Sequence, residues 1–230
     1  ILTFGCISGV SSSLINKICH TITGNKKDKI TFMSLNAGPG FVSKLTLIQD
    51  FLKTNDPTAC AIIECDIGKQ SGVCVDLPGY ATFFPPSWNS HLEKTRIIVY
   101  VKEPYKASFK VRSDLMKHEL LPSIWFQVGV GRRKQFLVNF FYREYTGIDG
   151  NSKGANERID DYISQVEEAA NEGRDIITLG DYNLDFNRKS DPSYSLANIY
   201  STFSHAVNAL DLAQLVKADT RFGFGRSGFT

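Results

Sequence analysis

The chain has 230 residues, and 26 Lys and Arg against 24 Asp and Glu leave a formal net charge of +2. Apolar residues make up 42% and charged residues 22%, ordinary usage that excludes disordered, collagen-like and fibrous chains. A mean hydropathy of −0.16 with no unbroken apolar run of spanning length excludes a membrane helix, and the near-neutral balance excludes a grip on nucleic acid by bulk charge alone.

Residues 1 to 28 carry no strong period and end in the polar cluster Gly24-Asn25-Lys26-Lys27-Asp28, so they read as a leader or poorly ordered extension. From Lys29 to Asn36 the pattern around Ile30, Phe32, Met33 and Leu35 predicts a strand. After the Gly38-Pro39-Gly40 turn, Leu45, Ile48, Phe51 and Leu52 recur at helical spacing through Lys53, and Asp56-Pro57 stops that helix. Ala59 to Glu64 is a short apolar run, as expected of a strand covered on both faces. Leu77-Pro78-Gly79-Tyr80 and Phe84-Pro85-Pro86 read as loops. Thr95 to Lys102, Ile124 to Val130 and Gln135 to Tyr142 are rich in Ile, Val, Phe and Tyr and predict strands. The last two are joined by Gly131-Arg132-Arg133-Lys134, a hairpin with a basic tip that reads as a solvated turn before a phosphate clamp. Ile159, Tyr162, Ile163, Val166 and Ala170 mark an amphipathic helix stopped at Gly173. Ile176 to Leu179 predicts another buried strand, and a last helix spans about Tyr194 to Leu212. No repeat or linker divides this pattern, which makes one α/β domain from residue 29 onward the simplest reading.

Cys6, Cys19, Cys60, Cys65 and Cys74 are an odd number without a C-x-x-C pair. That favours a reducing, intracellular compartment over a disulfide framework or a zinc site, with Cys60 and Cys65 as small buried hydrophobes. The chain opens without Met and closes on Phe222-Gly223-Phe224-Gly225-Arg226-Ser227-Gly228-Phe229-Thr230, so it reads as a piece of something longer, cut at both ends.

Three predicted strands end in a side chain with a ligand-grade oxygen. Asn36 leads into Gly-Pro-Gly and on its own is a turn former. Glu64 follows Ala61-Ile62-Ile63. It either meets a cation or donors, or sits past the strand end in water, because an unpaired carboxylate is costly to desolvate. Asp181 and Asn183, in Leu179-Gly180-Asp181-Tyr182-Asn183, are two apart and can share a side if the chain stays extended, with an Asx turn as the alternative. Gly180 leaves room for a close approach. Carboxylate and carboxamide oxygens suit hard cations, above all Mg²⁺ at phosphates. A second carboxylate can hold or deprotonate water, and a carboxamide can both accept and donate. Together they suit hydrolysis of phosphate esters.

The order strand-Asn36, Ile62-Ile63-Glu64, Thr95-Arg96-Ile97-Ile98-Val99-Tyr100-Val101-Lys102, Phe141-Tyr142-Arg143, Leu179-Gly180-Asp181-Tyr182-Asn183 resembles the endonuclease/exonuclease/phosphatase superfamily, which includes DNase I and the apurinic endonucleases. Tyr142-Arg143, Leu210 to Val216 and Thr220-Arg221 look most like the endonuclease domains of non-LTR retrotransposons. The resemblance spans roughly Lys29 to Arg221 and implies a four-layer α/β/β/α sandwich of the DNase I type, incomplete at its C-terminal edge. It implies Mg²⁺, with Mn²⁺ as a substitute, bound by Glu64 with help from Asn36. Tyr142 would hydrogen-bond the scissile phosphate, Asp181 orient or deprotonate water, and Asn183 steady the transition state. Asp211 would orient a catalytic histidine, and Asn36, Arg96 and Arg143 would contact substrate. The implied substrate is DNA, nicked in the nucleus for a reverse transcriptase domain of the same polyprotein, with no membrane partner. The family closes with Ser-x-x-Asp-His, and none of His20, His91, His118 and His205 stands in that setting. The chain by itself is therefore expected to be inactive or weak. A phosphatase or RNA nuclease of the same superfamily, and a non-catalytic remnant, are the competing readings.

Overall fold

The computed structural model describes residues 3–6, 17–22, 30–38, 40–68, 72, 74–86, 94–116, 122–129, 135–144, 152–184 and 195–214. Eleven strands are described, β1 (Thr3–Cys6), β2 (Lys17–Ile22), β3 (Ile30–Asn36), β4 (Ala59–Gly68), β5 (Tyr80–Phe83), β6 (Lys94–Lys102), β7 (Phe109–Val111), β8 (Ser123–Val128), β9 (Phe136–Tyr142), β10 (Ile176–Asp181) and β11 (Ala213–Gln214). Three α-helices accompany them, α1 (Leu45–Asn55), α2 (Ser152–Ala170) and α3 (Ala197–Ala209). The strands form a five-stranded sheet in the order β2-β3-β4-β6-β5 and a six-stranded sheet in the order β11-β1-β10-β9-β8-β7.

The apolar residues sort into layers. Ile30, Phe32, Ala61, Ile63, Ile97 and Val99 of the first sheet meet Phe126, Val138, Phe140 and Leu179 of the second in one buried cluster between the sheets. Met33, Leu35, Cys60, Ile62 and Ile98, the alternate residues of the five-stranded sheet, point the other way and are covered by Ile48 and Leu52 of α1. Trp125, Leu137, Phe141 and Ile176 do the same on the six-stranded sheet under Ile159, Tyr162 and Val166 of α2 and Ile199 and Phe203 of α3. The result is the expected four-layer α/β/β/α sandwich. Strands covered on both faces explain why the Ala59, Thr95 and Ile176 runs are apolar without alternation. Phenylalanines fill the middle layer edge to face, with Phe109–Phe126 centroids 5.6 Å apart and Phe32–Phe109 6.2 Å apart.

The connections place strand ends. β3 and β4 run parallel across α1, and β9 and β10 run parallel across α2, as a helical crossover requires. The C-terminal ends of β3 and β10 and the N-terminal end of antiparallel β6 consequently lie at one end of the sandwich. Asp56, the C-cap of α1 at φ 49°, turns the chain toward β4, and Gly173 at φ 63° lies just beyond α2.

Several expectations are revised. The stretch 1 to 28 is not a mere leader, because it contributes β1, parallel to both β10 and β11, and β2, antiparallel to β3. β1 gains its pairing from partners far away in sequence, so no local pattern announces it, whereas β2 pairs with the next strand, β3. β5 lies between the two predicted proline loops, and β7 had no signal at all. α3 begins at Ala197 rather than near Tyr194, and β4 runs on past Glu64 to Gly68. The basic hairpin tip 131–134, His91, His118 and Thr220-Arg221 lie outside the described residues.

Candidate active site

The strand ends bring together side chains that are far apart in sequence. Asn36, the last residue of β3, donates its Nδ2 to Asp181 Oδ2 at 3.3 Å across the gap between the sheets. Its Oδ1 accepts from Gly38 N at 2.8 Å, so it is a turn former and a bridging amide at once. Ile63 lies beside Asn36 in the sheet, which sets Glu64 next to this pair. Tyr142 lies beside Asp181 in the other sheet and donates its hydroxyl to Glu64 Oε1 at 2.9 Å. Asn36, Asp181, Tyr142 and Glu64 therefore close a ring across the two sheets. Asp181 is fully buried, Asn36 and Tyr142 nearly so, and Glu64 is half-buried.

Local backbone aims each group. Glu64 at φ 57° and Asp66 at φ 45° are left-handed, which costs non-glycine residues about 1–2 kcal/mol each. They fall in a β-bulge, where pairing with β6 jumps from Ile63–Ile97 to Ile67–Thr95. The bulge interrupts the in-out alternation and re-aims the carboxylate. Gly180 is required by close approach, since a Cβ there would lie 2.1 Å from the Phe141 carbonyl oxygen. Asn183 at φ 48° has already left the extended conformation. Its backbone N–H donates to Asp181 Oδ1 at 2.8 Å, an Asx turn, and its Nδ2 donates to Arg143 O at 2.6 Å. The chain turns after Asp181, so the Asx turn replaces the extended segment.

Arg143 is corrected from substrate contact to buried brace. It is 1% exposed, donates Nε to Tyr182 O and Nη2 to Asn183 O at 2.7 Å, and donates its backbone N–H to Asp181 O at 2.9 Å. Arg96 is also engaged. Its Nη1 reaches Glu144 Oε1 at 3.0 Å, its Nη2 reaches Tyr142 OH at 3.3 Å, and its guanidinium lies 4.9 Å from the Tyr142 ring centroid. Asp211 is not brought to this group. It is exposed in the turn after α3, just ahead of Ala213, which pairs through Thr3 with Ile177 at the opposite end of β10 from Asp181. Asp66, Glu144 and Arg158, whose Nη2 meets Glu144 Oε2 at 3.3 Å, were missed from the sequence. Asp66 alone had a signal, as a second acid two positions after Glu64. His205 is exposed on α3.

Electrostatics keep Tyr142 a donor. Burial pushes its phenol well above the usual tyrosine range, and the Glu64 carboxylate beside it adds to that. Among the described residues no three His, Cys, Asp or Glu side chains cluster as ligands. The Glu64 carboxylate and the neighbouring Asn36 amide oxygen suit Mg²⁺, which keeps several waters and takes one or two protein carboxylates together with substrate oxygens. Glu64 would hold the ion, and Asn36 Oδ1, which spends one lone pair on Gly38 N, could assist.

No family model matches the sequence, and no curated protein matches it. Among solved structures, the catalytic domain of Xenopus laevis APE2 matches at a TM-score of 0.52 and 11% identity, over 77% of this chain and 66% of that one. TDP2 from Caenorhabditis elegans matches at a TM-score of 0.49 and 14% identity, over 72% of this chain and 51% of that one. A humanized D. rerio TDP2 matches at 0.46 and 14%, over 71% and 66%. The chain thus spans between about half and two thirds of the length of these structures. At such identities the likeness to the APE2 domain is one of fold, and the fold of this chain is the DNase I-like sandwich.

Proposed function

We infer that this chain is a Mg²⁺-dependent phosphodiester hydrolase acting on DNA. The observation that carries the reading is the closed ring of Asn36, Asp181, Tyr142 and Glu64 at one end of the facing sheets. Glu64 would hold the ion, which when bound neutralises phosphoryl charge and assists the leaving alkoxide. Asp181 is fixed by donors on both oxygens, Asn36 Nδ2 and Asn183 N, which leaves it aimed and accepting. That is the state needed to orient water and take its proton. Tyr142, held protonated, would turn its one hydroxyl proton from Glu64 to a phosphate oxygen when substrate enters, and the Asn36 amide supplies a second donor. Arg143 and Asn183 hold the turn that carries Asp181. The DNA endonuclease branch, within a retrotransposon polyprotein alongside a reverse transcriptase and acting in the nucleus, is supported by the likeness of Tyr142-Arg143 and Leu210 to Val216 to such domains.

The test is single-turnover nicking of supercoiled plasmid with the chain in excess, so that slow cleavage is read, with Mg²⁺ or with chelator. Mg²⁺-dependent nicking is expected, with Glu64→Gln and Asp181→Ala each slowing it by about 10² or more. Full rate in both variants would overturn the site. Hydrolysis of phosphorylated small molecules without nicking would move the chain to the phosphatase branch.

A further inference from the structure

We propose that Arg96 is a positioning residue for the divalent-metal ligand Glu64, acting as a clasp across the bulge that carries it; this rests on Glu64 being that ligand. Between the pairs Ile63–Ile97 and Ile67–Thr95, the three residues Glu64, Cys65 and Asp66 stand across from the single residue Arg96. Glu64 and Asp66 are both left-handed, so the bulge needs something outside itself to over-determine it. Arg96 supplies that from β6. Its Nε lies 2.6 Å from Asp66 Oδ1, a close charge contact that pins one strained residue. The other, Glu64, is reached through Tyr142, whose hydroxyl accepts from Arg96 Nη2 and donates to Glu64 Oε1. The guanidinium also stacks on the Tyr142 ring and pairs with Glu144, which Arg158 of α2 holds from its other side. One planar cation therefore ties the bulge of one sheet to Tyr142, the last residue of β9, in the other. A lysine, with a single point charge, cannot meet three partners set around a plane.

This assignment and a purely electrostatic one predict opposite signs. If Arg96 acted only as a positive charge, removing it would tighten a neighbouring divalent cation. If it aims Glu64 through Tyr142, removing it costs affinity, and outer-shell partners of ligands are worth about 10–100-fold. The experiment is Mn²⁺ binding to the full chain, followed by electron paramagnetic resonance of free Mn²⁺, with near-ultraviolet circular dichroism checking that each variant is folded. Glu64→Gln should abolish saturable binding. Arg96→Ala should weaken it about tenfold, and Arg96→Lys should fail to restore it. Asp66→Asn, which keeps the arginine but loosens its pin, should weaken it by a smaller factor, and Arg96→Lys, which keeps the charge and loses the planar fork, decides the matter if Arg96→Ala does not fold. Binding that is unchanged or tighter in Arg96→Ala, restored by Arg96→Lys, or unchanged in Asp66→Asn would overturn the clasp while leaving the metal site standing. No saturable Mn²⁺ binding by the unmodified chain would overturn the metal reading, and the clasp with it.

Discussion

Gly180 sets the tolerance of the site at the residue scale. It sits one position before Asp181, opposite Phe141, which is one position before Tyr142. A methyl group there would meet the Phe141 carbonyl at 2.1 Å and the Phe141 ring at 2.7 Å. A backbone carbonyl in a central strand cannot swing aside as a long side chain can, so Gly180→Ala should cost about 3 kcal/mol. It should also lower nicking, because relief by separating β9 from β10 would move Asp181 away from Tyr142. Urea unfolding of the variant checks the first effect, and an unchanged midpoint would mean that the two strands lie farther apart than described. At the same scale, Glu64 was legible because a carboxylate straight after an apolar run needs donors. The role of Arg143 was not. An arginine just past a strand end reads as a surface residue, and the turn at Asn183 supplies carbonyls that make its burial tolerable.

At the scale of elements, α2 is held by more than its apolar stripe. Gln165 Oε1 accepts from Trp125 Nε1 at 2.9 Å and from Ser123 Oγ at 3.0 Å, and Gln165 Nε2 donates to Asp161 Oδ1 at 3.1 Å. Asn139 Nδ2 extends the chain to Ser123 Oγ at 2.7 Å. All five are buried, so each lost partner leaves a desolvated group. Gln165→Leu keeps the volume and removes the acceptor. It should destabilise the fold by about 2–3 kcal/mol, and the quenching environment of Trp125 should change in step. A neutral result in thermal unfolding would show that water satisfies the indole. The helix itself was readable from Ile159, Tyr162, Val166 and Ala170, whereas Gln165 looked like one more polar position. Spacing tells which residues share a face and says nothing of which sheet atoms that face will meet.

For the whole molecule, the two N-terminal strands matter most. β1 separates β10 from β11, and β2 pairs along β3. They flank the two strands that carry Asp181 and Asn36. A chain beginning at Lys29 should lose pairing on both, lower its melting temperature and broaden its transition, with the Asn36–Asp181 bridge the first contact across the sheets to suffer. Calorimetry checks this, and an equal melting temperature with an equally sharp transition would mean the strands contribute nothing to the fold. The sequence by itself determined β3, β4, β6, β8, β9 and β10 and the three helices, their order, and the oxygen-bearing residues that follow three apolar runs. Those follow from local rules, since an apolar run must be covered and a carboxylate after it must be satisfied. Only the tertiary structure decided that Glu64 leaves its strand on a bulge, that Arg96 stands across from that bulge, that Asp211 belongs to the opposite end of the sheet, and that residues before Lys29 complete both sheets. Each of these but the β2–β3 pair is a pairing between segments dozens to more than a hundred residues apart. Its free energy comes from partners that no window of sequence contains.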